Sequence, residues 1–162
     1  NKLIRQDSKN NVIFLYKDIQ GEVVGAEKVG TYTDKRFKGV IKNSDERYGF
    51  TFANNNDVTR IIIFEAPIDM MSYFEMNKFI LNETLLLSIG GTQKSKMIET
   101  YIKEYKKIKN IIVAVDNDDA GDFCFQDIKN MYSNMNIIDG RERLKEKNVK
   151  DWNELLIKIK EC

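Results

Sequence analysis

Three short apolar runs in the second half of the chain constrain its fold more than any other feature. They lie within residues 60–64, 85–87 and 111–115. Continuous runs of this kind are typical of β-strands covered on both faces, because a strand with one exposed face alternates apolar and polar residues. The segments between the runs carry apolar residues at helical spacing. This alternation predicts βαβ units, and therefore a parallel sheet flanked by helices.

The first third of the chain has a different pattern. Residues 11–53 contain short segments rich in β-branched residues, separated by turn-forming stretches such as residues 18–21. We therefore expect a small antiparallel β-rich subdomain over residues 1–57, followed by an α/β domain over residues 58–162. The predicted strands of the subdomain cover residues 12–17, 22–29, 37–41 and 48–52. The α/β domain is predicted to add a strand over residues 135–138 and helices over residues 68–79, 97–108, 120–132 and 149–159.

The composition removes several classes of chemistry. The chain contains no histidine and two cysteines, Cys124 and Cys162. A four-ligand zinc site, a Ser/His/Asp triad and a Cys/His pair are therefore excluded. An enzyme built from these residues depends on carboxylates, lysines or a metal held by oxygen. The net charge of +1 means that any contact with nucleic acid must come from local clusters of basic residues.

The chain carries no sign of export or membrane insertion. Its apolar runs are far too short to span a bilayer, and its start lacks the basic and then apolar layout of a signal peptide. We expect a cytoplasmic protein with no membrane partner. The sequence starts at Asn1 rather than at Met, which suggests a fragment whose flanking domains hold part of the function.

Acidic residues follow two of the three apolar runs. Glu65 comes after the first run, and Asp116 and Asp118 come after the third. Ligands of open parallel sheets collect beyond the carboxyl ends of the strands, and the period of two places Asp116 and Asp118 side by side. Two carboxylates roughly 4 Å apart repel by about 4 kcal/mol at an effective dielectric constant of roughly 20, and a divalent cation removes this repulsion. The pattern thus indicates a metal site.

Each of these acids also has a simpler interpretation. Asp116 and Asp118 could cap the helix predicted from residue 120, where negative charge is favourable. Glu65 alone could be an ordinary strand-end surface residue. An EF-hand loop that begins at Asp116 is disfavoured, because Ala120 stands at its fifth position and a strand precedes it.

Five motifs follow one another along the chain: Glu65 with Asp69, Gly91-Thr92, Asp116-Asn117-Asp118, Ala120-Gly121 and Lys150-Asp151-Trp152-Asn153-Glu154. In this order they resemble the Toprim domain, which is shared by bacterial-type primases, type IA and type II topoisomerases, recombination proteins and some nucleases. The final motif is similar to the Lys-Asp-x-Asp-Glu segment of bacterial primases, although Asn153 replaces its second Asp and Ala66-Pro67 stands where primases usually have Gly-Tyr. Residues 11–14, 21–25 and 42–44 are similar to the β subdomain ahead of the primase core. With residues 44–50 and 65–69, the chain is similar to Toprim-bearing proteins of plasmids and conjugative elements.

The resemblance implies a Toprim-like fold and Mg²⁺- or Mn²⁺-dependent nucleotidyl transfer, with single-stranded DNA and nucleotides as partners. Glu65, Asp116 and Asp118 would be the catalytic residues. The alternatives are a Toprim nuclease or nickase, and a catalytically inactive DNA-binding module. A topoisomerase is disfavoured because the additional nicking and gate domains are absent from this fragment. The implied metal ligands are Glu65, Asp69, Asp116, Asp118 and Asp151.

Further residues are candidates for contact with nucleic acid or phosphate. A Gly-Thr turn after a strand allows close approach of a phosphate, and basic side chains can follow a nucleic-acid backbone. The alternative for the Gly-Thr segment is a tight turn in which Thr92 caps the next helix. The alternative for the basic side chains is that they are simply solvated. Trp152 is predicted to anchor the core rather than to stack on a base. The candidates are Gly91, Thr92, Lys94, Lys42 and Arg47.

Overall fold

The computed structural model describes residues 3–32, 37–90 and 94–161, without the side chains of residues 94–96. Within these ranges the strands form two sheets, and the helices accompany the second of them. The elements, in chain order, are β1 (Ile4–Gln6), β2 (Val12–Lys17), β3 (Val23–Val29), β4 (Lys38–Val40), β5 (Phe50–Ala53), β6 (Arg60–Phe64), α1 (Pro67–Asn77), β7 (Thr84–Ser88), α2 (Lys94–Glu104), β8 (Asn110–Val113), α3 (Asp119–Met131), β9 (Asn136–Asp139), α4 (Glu142–Lys147) and α5 (Trp152–Lys160).

The first sheet is antiparallel and has the strand order β1-β2-β3-β4. Its inner face buries Phe14 and Tyr16 of β2. Phe14 meets Phe50 of β5 edge to face, with 5.0 Å between the ring centroids. The first sheet therefore packs against the edge of the second. The predicted antiparallel unit is confirmed for three of its four strands, now β2, β3 and β4, and β1 joins them as a strand that was not predicted.

The second sheet has the order β5-β7-β6-β8-β9. Strands β7, β6, β8 and β9 are parallel to one another. Every residue of β7 is buried, as are Ile61–Phe64 of β6, which is the burial expected of strands covered on both faces. This architecture confirms the predicted fold class, an α/β domain with a parallel sheet flanked by helices.

Strand β5 differs from the prediction, which placed it in the antiparallel unit. It pairs antiparallel with β7, from Phe50 opposite Ser88 to Ala53 opposite Leu85. The fully buried β7 needs a neighbour on each side to satisfy its backbone, and β5 provides the second one. An alternating pattern identifies a strand but does not identify its partner.

The last helical segment also differs from the prediction. A helix was expected over residues 149–159, and α5 confirms it with a start at Trp152, whereas the short α4 was not predicted and the chain turns between the two helices. Asn148 adopts a left-handed conformation with a φ of 49° at the end of α4. Asp151 then caps α5, because its side chain accepts a hydrogen bond from the backbone N–H of Glu154 at 2.7 Å.

Helix α5 is fixed to the sheet by Trp152. This buried side chain donates its Nε1–H to the carbonyl oxygen of Ala114 at 2.7 Å and meets Tyr73 of α1 edge to face, with 4.7 Å between centroids. Trp152 is thus the core anchor that was predicted. None of the helices within the described ranges combines the length and apolar character that a membrane span requires.

Candidate functional site

Four acidic side chains meet at the carboxyl edge of the parallel sheet. Glu65 directly follows β6, Asp69 lies in the first turn of α1, Asp116 lies in the loop after β8, and Asp151 caps α5. The four side chains are close enough to interact electrostatically, because the negative charges of Asp151, Asp116 and Glu65 all raise the pKa of Asp69. We refer to these four residues as the acidic cluster.

Asp69 is the most enclosed member of the cluster. Only 7% of the residue is exposed. Burial, followed by the neighbouring negative charges, raises its pKa to about 7. One interaction opposes this rise, because the backbone N–H of Asn153 donates to Asp69 Oδ1 at 3.2 Å. The carboxyl group of Asp69 is therefore partly protonated at neutral pH.

Asp116 lies in a similar environment. Burial and then the charge of Glu65 raise its pKa to about 6, against the opposing effect of Lys150. Two acids with raised pKa values at one sheet edge are typical of a functional site, because a fold gains no stability from crowding like charges.

Asp118 is held differently from Asp116. Its Oδ1 accepts a hydrogen bond from the backbone N–H of Gly121 at 2.9 Å and so caps α3. This bond is the main reason that the pKa of Asp118 is lowered. The capping interpretation therefore applies to Asp118, whereas Asp116 faces the acidic cluster.

Lys150 links the two aspartates. Its Nζ lies 3.4 Å from Asp116 Oδ2 and 3.1 Å from Asp118 Oδ2. Asp116 and Asp118 are thus brought together through one ammonium group, as well as by their closeness in sequence.

The cluster satisfies the chemical requirements of a hard divalent cation. Its donors are carboxylate oxygens, which Mg²⁺ and Mn²⁺ prefer. In the part of the chain that the structure describes, no group of three or more acidic or thiol side chains is arranged to hold an ion by itself. Mg²⁺ does not need such a cage, because it is usually bound by one or two carboxylates together with waters and substrate phosphates. The residues therefore fit a divalent cation that retains part of its water shell.

Arg141 supports the loop that carries Asp116, and the sequence patterns did not identify it. Its side chain is 1% exposed and pairs with Asp139 at 2.9 Å and with Asp122 at 2.8 Å. Its Nη1 also donates to the backbone carbonyl oxygen of Asp116 at 3.3 Å. An arginine just before a short polar helix has the sequence signature of an exposed residue, so no pattern distinguished it.

Gly121 allows the same loop to lie close to α3. A Cβ at this position would lie 1.9 Å from the backbone carbonyl oxygen of Asp116, which is far closer than two such atoms can approach. This contact gives the Ala120-Gly121 motif a structural reason that is independent of any ligand.

Replacing Arg141 by methionine is expected to lower the free energy of unfolding by about 2–3 kcal/mol. The change leaves Asp139 without its buried partner, and breaking a buried ion pair costs several kcal/mol. The cost is smaller for this pair because Asp139 is partly exposed. Urea denaturation would measure the loss. Arg143→Met on the exposed side of α4 is the matched control, and equal stability of the two variants would contradict the assigned role.

The remaining predicted residues are the candidates for contact with nucleic acid or phosphate. Gly91 and Thr92 lie outside the described residues, as does the side chain of Lys94. Lys42 is exposed in the loop between β4 and β5. Arg47 pairs with Asp45, and its Nη2 and Nε lie 2.6 Å and 3.0 Å from the carboxylate oxygens of Asp45. The positive charge of Arg47 also acts to lower the pKa of Glu104 of α2. Their role in nucleic-acid contact stays a prediction.

Comparison with known sequences places the cluster in context. Residues 62–156 match the Toprim-like family, and residues 1–57 match a family described as a protein of unknown function (DUF3991). An uncharacterized pXO2 protein of Bacillus anthracis is 33% identical over 129 residues, which make up 74% of this chain. The chain spans 37% of the length of that relative.

Solved primase structures share the fold. The primase fragment of the bacteriophage T7 primase-helicase superimposes with a TM-score of 0.69 at 17% identity, over 96% of this chain and 62% of that one. The catalytic core of the Escherichia coli primase gives 0.56 at 16% identity, over 96% and 53%. The RNA polymerase domain of the Mycobacterium tuberculosis primase, solved with a DNA oligomer, gives 0.60 at 13% identity, over 97% and 54%. The Toprim-like match covers more than half of the residues of this chain, and the solved primase cores share its fold. The chain therefore belongs to the Toprim-like family and has the fold of primase catalytic cores.

Proposed function

We propose that this chain is the catalytic core of a primase-like protein of a mobile element, and that it performs Mg²⁺- or Mn²⁺-dependent nucleotidyl transfer to make a primer on single-stranded DNA in the cytoplasm. The observation that carries the proposal is the convergence of Glu65, Asp69, Asp116 and Asp151 at one sheet edge, where the charges of Glu65 and Asp151 help to raise the pKa values of Asp69 and Asp116. The shared primase fold and the pXO2 relative support it.

The residues of the cluster have distinct tasks in this proposal. Asp116 and Glu65 would hold the ion, with Asp69 and Asp151 completing the negative site. A bound divalent cation supplies charge neutralisation at the transferring phosphoryl group. Asp118 caps α3 through Oδ1 and turns Oδ2 toward Lys150, so it contributes charge beside the cluster. As the alternative to holding the ion, Glu65, which directly follows β6, would act as the general base that accepts the proton of an attacking hydroxyl group.

Phosphoryl transfer suits this set of residues because it needs little covalent help from the protein. Positioning and charge neutralisation account for most of the catalysis. A chain without histidine can supply both through carboxylates and lysines. The rigid strand ends of the parallel sheet hold these groups in place, and the anchored Trp152 fixes the start of α5 beside them.

A product-length assay tests the proposal. The chain is incubated with end-labelled single-stranded DNA, nucleoside triphosphates that carry a different label, and Mg²⁺. New oligonucleotides that require both triphosphates and Mg²⁺ are expected, and a chelator should abolish them. Shortened DNA would instead support a nuclease or nickase. DNA binding with neither product would support an inactive binding module.

A further inference from the structure

The ammonium group of Lys150 provides a positive charge beside the acidic cluster. The Nζ of Lys150 contacts one carboxylate oxygen of Asp116 and one of Asp118, at 3.4 Å and 3.1 Å. The two ends of this contact differ in exposure, since the lysine side chain is 57% exposed and that of Asp116 is 14% exposed. The ammonium group therefore approaches an enclosed carboxylate from the solvent side, which is the side from which a metal ion must arrive.

The backbone of Lys150 is fixed even though its side chain is exposed. Its carbonyl oxygen accepts a hydrogen bond from the backbone N–H of Asn117 at 2.7 Å, and its own N–H donates to Glu154 at 2.8 Å. Asn117 also donates its side-chain amide to Val149 at 3.2 Å. These bonds attach the base of the lysine directly to the aspartate loop. The flexible stem can then swing the ammonium group in or out while the loop stays in place.

An ammonium group and a divalent cation cannot both occupy the space beside Asp116. Their charges have the same sign, and both depend on the same carboxylate oxygens. Ion pairs of a half-exposed lysine are weak, and the ammonium group is strongly hydrated, so its release into water costs little. The released group would remain within a side chain's length of the site and close to the phosphates that accompany a bound ion.

We propose that Lys150 is an exchangeable counter-ion. It occupies the cation position when no metal is bound, leaves when a divalent cation arrives, and then pairs with phosphate oxygens of the bound nucleotide. The inference rests on the proposed function, because it takes the acidic cluster to be a divalent-cation site. It adds a specific role for a residue whose ammonium group contacts both Asp116 and Asp118.

The first test is titration of Mn²⁺ into the wild-type chain and a Lys150→Met variant by isothermal calorimetry. The variant is expected to bind Mn²⁺ roughly threefold more tightly, the equivalent of about 0.6 kcal/mol, since the ion no longer displaces a weakly paired lysine. Lys160→Met is the matched control. It makes the same change in net charge at the far end of α5, and its affinity should equal that of the wild type.

The second test measures inorganic tripolyphosphate binding at saturating Mg²⁺. Here Lys150→Met is expected to bind several-fold more weakly, so the two affinities change in opposite directions. Damage to the fold would weaken the binding of both Mn²⁺ and tripolyphosphate. Unfolding curves of the variants serve as the control for such damage.

The outcomes separate the two proposals. Equal or weaker Mn²⁺ binding by Lys150→Met would overturn the exchange and leave the metal site standing. Unchanged tripolyphosphate binding would overturn the phosphate role. No Mn²⁺ binding by either protein would overturn both the exchange and the proposed metal-dependent function.

Discussion

Replacing Asp116 by asparagine is expected to lower the rate of the proposed Mg²⁺-dependent nucleotidyl transfer about a thousandfold or more. A bound metal contributes several kcal/mol of charge stabilisation, and the neutral amide removes a negative oxygen from the centre of the cluster. The fold should remain intact, because asparagine has nearly the same shape and Arg141 contacts only the backbone of residue 116. Primer synthesis and Mn²⁺ titration measure the two consequences separately.

Asp119→Asn is the matched control for this change. Asp119 is exposed in the first turn of α3, only three residues from Asp116. The same chemical change there should leave the rate within about twofold of wild type, as is usual for a surface substitution away from special features. Comparable losses in the two variants would show that general charge in this loop, rather than a ligand position, supports the activity.

Replacing Asp69 by asparagine is expected to stabilise the metal-free protein by on the order of 4 kcal/mol at pH 8. The pKa of Asp69 is about 7 in the folded state against an ordinary value of 3.8. Folding therefore costs free energy whenever this side chain must be ionised. Asparagine avoids the cost and keeps the oxygen that accepts the N–H of Asn153.

The pH dependence of this effect follows from proton binding. Between about pH 4 and pH 7 the folded wild type holds a proton on Asp69 that the unfolded chain has lost. Raising the pH through this window removes stability from the wild type and not from Asp69→Asn. The two proteins should therefore have equal stability below about pH 4, diverge up to pH 7, and differ by a constant amount above it.

Urea denaturation across this pH range measures the effect, and Asp45→Asn provides a control of opposite sign. Hydrogen bonds from Arg47 are the main reason that the pKa of Asp45 is lowered, so its neutralisation should destabilise the protein at neutral pH. Mg²⁺ should offset the cost at Asp69 and so narrow the gap between wild type and Asp69→Asn. A difference in unfolding free energy that does not change with pH would show that ionisation of Asp69 does not destabilise the folded protein.

The positions of the acids were predictable because they depend on chain geometry that repeats between proteins. Buried parallel strands read as apolar runs, and residues that follow their carboxyl ends meet at one edge. This logic located Glu65 and Asp116 without any coordinates. The division of labour between Asp116 and Asp118 was not predictable, since spacing alone is compatible with a ligand and with a helix cap.

Long-range partners account for the rest of what the sequence could not predict. Strand β5 has an ordinary strand pattern, and only the unpaired edge of β7 determines where it joins. Arg141 has an ordinary surface pattern, and only the fold encloses it between Asp139 and Asp122. Lys150 was noted as part of a motif, but its place between two aspartates depends on the turn from α4 into α5.

The dependence of the site on α5 has a consequence for how the protein matures. Glu65, Asp69 and Asp116 leave the ribosome well before Asp151, and domains tend to fold from the N-terminal side during synthesis. A nascent chain can therefore complete its central strands while the backbone N–H of residue 153 has yet to reach Asp69. The acidic cluster is therefore complete only once α5 docks through Trp152, which makes it one of the last features of the fold to form during synthesis.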